Sequence, residues 1–573
     1  MNKLDTDVLI LGAGGAGLFA ALHAKKAAPD LDVTIAVKGL LGKCGCTRMV
    51  QGGYNVALAP GDSIERHFMD TIEGGAWLND QDLAWLLVEQ APVRIRELEN
   101  EIGCFFDRNP DGTIHQKAFA GQTFDRTVHK GDLTGIEIIN RLSEQVWRRD
   151  VRRLEDYRAL DLLPAAGGGT LAGVLMLDMR TGELLLVRAR ATLLATGGGP
   201  TMYRYHTPSG DKSCDGMAMA LRAGLPLRDM EMVQFHPTGL LAGPDTRMTG
   251  TVLEEGLRGS GGWLTDGAGE RFMFGYDPRG ERATRDIVCR AIMDRLRQGR
   301  AGPNGGVFIE MAHLGPDNVR RAFKGMVERC ADCGFDLAGG RVEVIPTAHY
   351  MMGGVAFAPD CTTELPGLYA AGEDTGGVHG ANRLGGNGVA NSTVFGGLAG
   401  DAIGARTRRA GPLADVHPAA LEAAQARALG PLGRRGGDLS AIRRALYDVM
   451  WNDVGISRAP DGLTRGREAL DQLAAEVAAA GTVDAEPRYN LTWMDRLNLE
   501  NLILVSRAIC AAALARGDSR GAHFREDHPH AGELATSRYT VARLRGDEIA
   551  MDGAPVAFAR VRPGESLLAR AAE

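Results

Sequence analysis

The stretch DVLILGAGGAGLFAALHAKKA, residues 7–27, decides the fold. DVLIL is a short unbroken apolar run, which reads as a parallel strand buried on both faces. GAGGAG follows it, and LFAALHAKKA reads as a helix. VTIAV at 33–37 is a second apolar run, so the segment forms a strand–helix–strand unit. Gly12, Gly14 and Gly17 spell G-x-G-x-x-G in the turn between strand and helix. There the first glycine permits the turn and the second lets a pyrophosphate approach the backbone. The third lets helix pack on strand, and the helix N-terminus faces the anion. Alone the motif is weak; between a strand and a helix it marks a dinucleotide site. One part of the general fingerprint is absent. An acidic residue should follow the second strand and meet a ribose hydroxyl, but AVKG puts Lys38 there.

Two further glycine clusters lie far along the chain. ATLLATGGG at 191–199 is a strand ending in glycines, and GLYAAGEDTGGVHGANRLGGNGVANSTVFGG spans 367–397. All three glycine regions are fit to line one nucleotide site. Residues 240–345 differ, mixing strands and helices with many arginines and glycines, and read as an inserted domain. From residue 411 the pattern turns helical, through PAALEAAQARAL, LSAIRRALYDVM, GREALDQLAAEVAAA and LNLENLILVSRAICAAALA. A strand-rich tail closes the chain.

The 573 residues allow roughly three or four domains. Hydrophobic residues at 44% and charged residues at 24% can bury a large core. A net charge of −7 gives no reason to expect nucleic acid as a partner. Nine cysteines, an odd number spread over a long chain, argue against a secreted disulfide framework. The N-terminus runs straight into a strand without the apolar core of a signal peptide, and no run of 18 apolar residues occurs. The expected setting is the cytoplasm, without direct membrane insertion. Peripheral attachment to the inner face of a membrane through a partner is left open.

Eleven motifs occur in order: LILGAGGAGLFAAL, QGG at 51–53, LLATGGG, DGMAMALRAG, QFHPTG, EEGLRG, TRD, PTAHYMMGGV, AAGE, HGANRLGGN and SRGAHFRED. Together they resemble the FAD-containing subunit of succinate dehydrogenases and fumarate reductases, a family that includes L-aspartate oxidase. The resemblance runs from about residue 5 to 530. It implies an α/β fold built on a discontinuous Rossmann-like FAD-binding domain, residues 1–239 and 346–410. An α+β capping domain, 240–345, is inserted into it; a helical domain, 411–530, and a short strand-rich tail, 531–573, follow. It also implies that FAD is held by Gly12, Ala13, Gly14, Gly15 and Gly17, by Lys38, and by Cys46, Thr47, Gly52 and Gly53. The backbone near Ala159, together with Asp215, Glu373, Gly388 and Val389, completes the set, with Glu373 supplying the acidic ribose contact that Lys38 cannot make.

In this family a hydride passes between flavin N5 and one carbon of a C–C bond activated by a carboxylate, and a proton moves at the neighbouring carbon. Such chemistry needs cations or donors on the carboxylates and a proton donor on one face. By the resemblance, His236, His349 and Arg383 are substrate-carboxylate ligands, and Arg383 can grip a carboxylate bidentately. Arg285 matches the proton-transfer arginine, and Glu255 and Arg258 match its relay; in a helix, residues three apart share a face. An arginine acid works only if proton loss and refilling through Glu255 are nearly concerted, because a free guanidinium has a pKa above about 12. Singly, each of these residues is more often structural: a histidine before proline is usually a turn or core residue. The ordered set carries the reading.

Two positions depart from the family pattern. Membrane-bound members carry a histidine joined covalently to the flavin 8α carbon, and alignment on QGG puts Cys46 there. Non-covalent FAD is therefore expected, with a bias toward substrate reduction or oxidase chemistry; a cysteinyl–flavin thioether is the alternative. Where the family carries Thr or Ser against a substrate carboxylate, this chain has Glu254. Two like charges about 4 Å apart cost about 4 kcal/mol at an effective dielectric near 20. Glu254 must be neutral, turn away, pair with a nearby arginine, or meet a different substrate group. FAGQ resembles the FGGQ of succinate dehydrogenases, which places Phe119 over the substrate; aspartate oxidases carry a glutamate where this chain has Ala120.

The expected function is hydride transfer between FAD and a fumarate- or succinate-like carboxylic acid, with an L-aspartate oxidase-like enzyme forming an imine as the alternative. Electrons would come from an iron–sulfur partner subunit or a soluble donor. CADC at 330–333 lacks a second ligand pair, so no metal site is assigned. SRGAHFREDHPH at 519–530 reads as a polar clasp between the helical and FAD domains.

Overall fold

A computed structural model describes residues 1–243, 246 and 248–570. Strand β1 (Asn2–Leu11), helix α1 (Gly15–Ala27) and strand β2 (Val33–Val37) form the opening unit. β1 and β2 pair in parallel, from Val8 with Val33 to Leu11 with Ala36. Val8, Leu9 and Ile10 are fully buried, as an apolar run without alternation requires. Seven strands make the sheet. Its order is Arg152–Glu155, β2, β1, Leu184–Leu194, Leu171–Asp178 and Tyr157–Pro164. The short strand Leu368–Ala370 also pairs in parallel with Leu184–Leu194.

This topology explains why three distant glycine clusters meet. Leu194 is the register partner of both Leu11 and Ala370. The C-terminal ends of three parallel strands therefore stand side by side, and each delivers its glycines to the same edge. Ligands of open α/β sheets bind there. The helix Asn387–Thr407 packs on α1 through a row of glycines. A Cβ at Gly396 or Gly400 would lie 2.6 Å or 2.5 Å from the carbonyl oxygen of Ala16 or Ala20. The late glycine-rich segment thus locks the first helix from behind.

The capping segment is a four-stranded antiparallel sheet in the order Val233–Leu240, Arg341–Met351, Val307–Glu310 and Trp263–Thr265. It has its own core, including Leu240, Leu253, Leu257, Met273, Val288 and Ile309. Its first two strands pair from Val233 with Met351 to Leu240 with Val344, so the segment is entered and left through one two-stranded ribbon. The helix Arg285–Arg297 packs against the strand Val233–Leu240 of that ribbon.

Four helices follow: Pro418–Leu429, Leu439–Asn452, Pro460–Ala479 and Leu491–Ala515. The last is long and apolar enough to cross a membrane by length and composition, yet 72% of its apolar window is buried in the protein. Leu499, Leu502 and Val505 join Leu9, Val187 and Met217 in one cluster, so this helix is a core element of the FAD-binding body. The tail is a hairpin of Arg538–Arg545 and Glu548–Pro555 that extends a sheet through Leu227–Arg228. In the clasp motif Ser519, Arg520, His523 and Arg525 are buried, while residues 526–530 are exposed. Arg516 pairs with Asp229 at 3.2 Å and with Glu231, while Arg458 Nη1 donates to Glu231 O at 2.9 Å and contacts His523. These two arginines, neither of them in the motif, tie the helical segment to residues 229–231, and the motif joins them through His523.

Candidate active site

The fingerprint glycines differ in what they exclude. Gly12 has φ +110°, and a Cβ there would lie 2.1 Å from Ala195 O; at Gly17 it would lie 1.9 Å from Gly12 O. Gly14 is different: a Cβ would meet only Thr47 Oγ1 at 3.6 Å, so its outer side is open. Gly14 caps α1 without a side-chain bond, and the first turn carries no acidic residue. The positive end of the helix dipole faces this open side, where a phosphate is favoured. Thr47 Oγ1 accepts from Gly15 N at 3.1 Å, which brings the Cys46–Met49 turn over this cradle beside Ala13. Gly53 is forced by the Val128 carbonyl, which a Cβ would approach to 2.3 Å. Gly388 and Val389 open the helix Asn387–Thr407.

At the end of β2 the missing acid reappears from elsewhere in the chain. Lys38 Nζ lies 2.9 Å from Asp215 Oδ2 and 3.1 Å from both Ser213 Oγ and Asn498 Oδ1. Arg158 Nη2 and Asn501 Nδ2 reach Asp215 Oδ1 at 2.8 Å and 2.6 Å. Ala159 follows Arg158 in the same strand, at a bulge before Asp161. Burial opposes the Asp215 charge, but Arg158 and Lys38 outweigh it and hold the carboxyl well below its usual range. Burial draws the Lys38 ammonium down to about 8 despite Asp215. Glu373, expected to make the acidic ribose contact, stands at a different strand end from Lys38. Glu373 follows the strand Leu368–Ala370 instead, accepts from Met351 N at 3.0 Å, and abuts Gly198. Burial pushes its carboxyl up to about 7. Asp215 is the carboxylate beside the second strand.

The ribbon of the capping segment builds the second half of the site. His236 is the register partner of Thr347, and His349 lies two residues beyond on the same face. Their rings stand 5.5 Å apart between centroids. His236 is not in a turn, as histidine before proline usually is; it lies in a strand whose register shifts just after it, where Pro237 is tolerated. Thr207 Oγ1 lies 2.8 Å from His349 Nδ1, and Thr238 N donates to His236 Nδ1 at 3.3 Å. Burial, reinforced by Arg285, depresses both imidazoles well below the ordinary histidine value, so both are neutral at pH 7.

Arg285 is the first residue of its helix. Its Nε and Nη2 donate to Glu255 Oε2 at 3.0 Å and 2.5 Å, and its Nη1 donates to Gln234 Oε1 at 3.0 Å. Glu255 Oε1 in turn accepts from Arg258 Nη2 at 3.2 Å. The helix that joins Glu255 to Arg258 is a single turn, Gly256–Gly259, which is enough to place them together. Burial opposes the Glu255 charge, but Arg285 and Arg258 outweigh it, and its pKa falls below the usual carboxylate value. Glu255 is therefore a carboxylate clamped between two guanidiniums.

Arg383 is 6% exposed, and among the described residues no carboxylate pairs with it. Its guanidinium stacks over Tyr350 at 4.4 Å and donates to Leu384 O at 3.3 Å; among the described residues Nε meets no acceptor. Burial and Arg285 pull its pKa down to about 10. Gln234 Nε2 donates to Arg383 O at 2.7 Å and Asn382 Oδ1 at 2.9 Å, so one glutamine ties Arg285 to the Arg383 loop. Phe119 fills the space above Gly52 and Gly385, where a Cβ would meet its ring at 2.5 Å and 2.7 Å. The same position at Gly385 lies 2.8 Å from Glu255 Oε2 and 3.3 Å from Arg285 Nη2. A cleft of about 700 Å³ opens here, lined by Phe119, Ala120, Gln122, Arg282, Thr284 and Asn382. Glu254 is paired with Lys117 Nζ at 2.9 Å, not with an arginine.

The FAD binding domain family matches residues 7–389, and the fumarate reductase flavoprotein C-terminal family matches 443–567. The chain belongs to the fumarate reductase/succinate dehydrogenase flavoprotein family. One subunit of the CoM/CoB fumarate reductase of Methanothermobacter marburgensis is 40% identical over 531 residues, covering 92% of this chain and 95% of that one. The L-aspartate oxidase of Streptomyces coelicolor is 35% identical over 556 residues, covering 95% and 92%. Among solved structures, the E. coli quinol fumarate reductase FrdA superposes with a TM-score of 0.92 at 32% identity, covering 99% of both chains. This family member is an FAD-dependent oxidoreductase.

The cradle fits FAD: an uncapped helix N-terminus for the pyrophosphate, an open face at Gly14, and a fixed carboxylate, Asp215, beyond β2. FAD supplies hydride transfer at N5. Several residues around it escaped sequence reading. Gln234 and Tyr350 lie inside the QFHPTG and PTAHYMMGGV motifs but carried no assigned task; their roles come from cross-chain contacts that spacing does not reveal. Asn498 and Asn501 reach the Lys38–Asp215 cluster from the distant helix Leu491–Ala515.

Cys46 bears on how the cofactor is held. Burial pushes its thiol up to about 12, reinforced by the nearby Glu373 carboxyl. A thiol kept neutral is a poor nucleophile toward a flavin carbon. Acid denaturation of the flavin-loaded protein is expected to leave yellow flavin in the supernatant and a colourless pellet. A pellet that stays fluorescent would instead establish the thioether.

Proposed function

We propose that the chain reduces the C=C bond of a fumarate-like dicarboxylic acid, holding FAD non-covalently and receiving electrons from a partner subunit or soluble donor. One observation carries the reading: Arg383 is a buried guanidinium without a carboxylate partner among the described residues, and it stands close enough to the Arg285–Glu255 pair and to two neutral imidazoles for their charges to act on one another. A substrate carboxylate supplies the missing counter-charge. His236 and His349 donate to or polarise the substrate as neutral rings. Arg285 gives its proton to the carbon next to the one that receives hydride, and Glu255, an ionised carboxylate, passes Arg285 a proton that it takes from Arg258, which is refilled in turn from solvent. Hydride plus proton convert the unsaturated acid to its saturated product.

The partner reading draws on the relatives' names: one is part of a CoM/CoB enzyme and another belongs to a quinol enzyme. The imine-forming oxidase reading is weakened by Glu254. That carboxylate is engaged by Lys117, so it is not free to meet a substrate ammonium, and Ala120 offers no charge. The test is anaerobic reduction of the bound flavin followed by separate additions of fumarate, iminoaspartate, larger unsaturated acids and oxygen. Fast reoxidation by fumarate and slow reoxidation by oxygen are expected. Reoxidation by oxygen or iminoaspartate alone overturns the proposal in favour of the oxidase.

A further inference from the structure

We propose that Lys117 determines substrate specificity by neutralising Glu254, which keeps the His236 end of the pocket open to a second carboxylate. The inference rests on the dicarboxylate reading above. Leu253 N donates to Thr238 O at 2.9 Å, and Thr238 Oγ1 donates back to Leu253 O at 2.9 Å. These two bonds bring the next residue, Glu254, alongside the His236–Thr238 segment. Its side chain is 7% exposed, too buried for water to screen its charge. Lys117 Nζ reaches it at 2.9 Å from the short strand Gln116–Lys117, which pairs with Thr127–Val128 in the FAD-binding body. Lys117 Nζ also stands 5.7 Å from the centroid of the Phe119 ring. Phe119 is the ring that fills the space at Gly385 beside Glu255 and Arg285. The pair therefore lies between the segment that carries Phe119 and the strand that carries His236.

Charge balance at this flank decides what the pocket accepts. With Lys117 in place the pair is neutral, and an ammonium with three donors retains N–H groups beyond the one given to Glu254. Without it, a dianionic substrate would approach a buried, uncompensated carboxylate. The pair also spans two bodies, since Lys117 belongs to the FAD-binding part and Glu254 to the capping segment. The charge correction is thus complete only when the two are apposed over the substrate. Lys117 touches no reacting atom in this scheme. It is a positioning residue, and its effect falls on binding rather than on the chemical step.

The test uses the FAD-loaded enzyme, with KM and kcat for fumarate and the Kd of malonate read from the flavin absorbance. Lys117→Gln is expected to raise both KM and Kd by about 100-fold (~2.7 kcal/mol) with kcat changed less than about threefold. Lys117→Gln combined with Glu254→Gln brings KM and Kd back within about threefold of the parent, and Lys117→Arg stays there too. Glu254→Gln alone, which spares the lysine, tightens malonate binding. The inference is overturned if Lys117→Gln leaves Kd unchanged, if the double variant binds as weakly as the single, or if Glu254→Gln weakens binding. If Lys117→Gln does not fold, the Glu254→Gln and double variants still decide. Failure of the parent to reduce fumarate while it binds malonate would count against the proposed reaction and leave the Lys117 result readable.

Discussion

Arg285→Lys is expected to lower kcat for fumarate reduction by about 10³–10⁴-fold, with FAD content and malonate affinity close to those of the parent. The expectation follows from what lysine can and cannot replace. Its ammonium keeps the positive charge beside Glu255. It cannot hold the planar fork that donates from Nε and Nη2 to Glu255 Oε2 and from Nη1 to Gln234 Oε1 at the same time. Those three bonds fix the guanidinium in one orientation, and a misplacement of about 1 Å at a proton-transfer site can cost about 10²-fold. The proton supply depends on the same fork. On the proposed mechanism a guanidinium gives up its proton only if another reaches it in the same step, and Glu255, kept ionised by Arg285 and Arg258, is placed to pass one from Arg258 to Arg285. Replacing Glu255 with glutamine should therefore also collapse kcat, through loss of refilling rather than loss of position. Parent-like turnover in Arg285→Lys would falsify proton delivery by this residue. A comparable rise in KM with kcat preserved would move Arg285 from proton transfer to substrate binding.

How far the sequence discloses this site depends on which interactions have a local signature. The cradle of the first glycines was legible because Gly12 and Gly17 are enforced by steric contacts within the strand–turn–helix unit and the strand beside it. The family motifs also carried His236, Arg285, His349 and Arg383, which the fold brings near enough to act on one another electrostatically. What escaped depends on partners remote in sequence. Asp215, already among the cofactor residues, pairs with Lys38 and Arg158, which converge on it across a sheet order that skips strands. Glu254 could be recognised as a misplaced charge, yet its resolution by Lys117 crosses 137 residues between two bodies. Gln234 was quoted within a motif, but its task is defined by simultaneous bonds to Arg285 and Arg383 O. Apolar periodicity and glycine sterics are written locally; charge compensation is written in three dimensions.

Arg383→Gln should weaken malonate binding by about 10²–10³-fold and at the same time make the ligand-free protein more stable, the opposite of what most buried substitutions do. Arg383 is buried with a bond donated to Leu384 O, an aromatic face beneath it and, among the described residues, no acceptor at Nε, while Arg285 adds repulsion. A folded-state pKa lowered from 12.5 to about 10 means that folding disfavours its charge. At 1.36 kcal/mol per unit this is a penalty on the order of 3 kcal/mol. The sign follows from linkage. Because the unfolded chain binds the proton more tightly, the penalty is fully present at neutral pH and is relieved only as pH rises from about 10 toward 12.5. Glutamine removes the charge and with it the penalty. The parent regains that cost when a dicarboxylate arrives: ligand at about 100 times its Kd adds about 2.7 kcal/mol. Thermal unfolding of FAD-loaded parent and variant, each with and without malonate, separates the two effects. The parent should gain strongly from the ligand and the variant hardly at all, with the variant starting from the higher midpoint. A variant that starts lower and still gains from malonate would mean that Arg383 serves the fold and that another group receives the carboxylate. If Arg383 receives the substrate carboxylate as proposed, that bond releases on binding the cost its buried charge imposes on the fold, which is why a cation with no carboxylate partner among the described residues is a better sign of the substrate's place than the paired arginines around it.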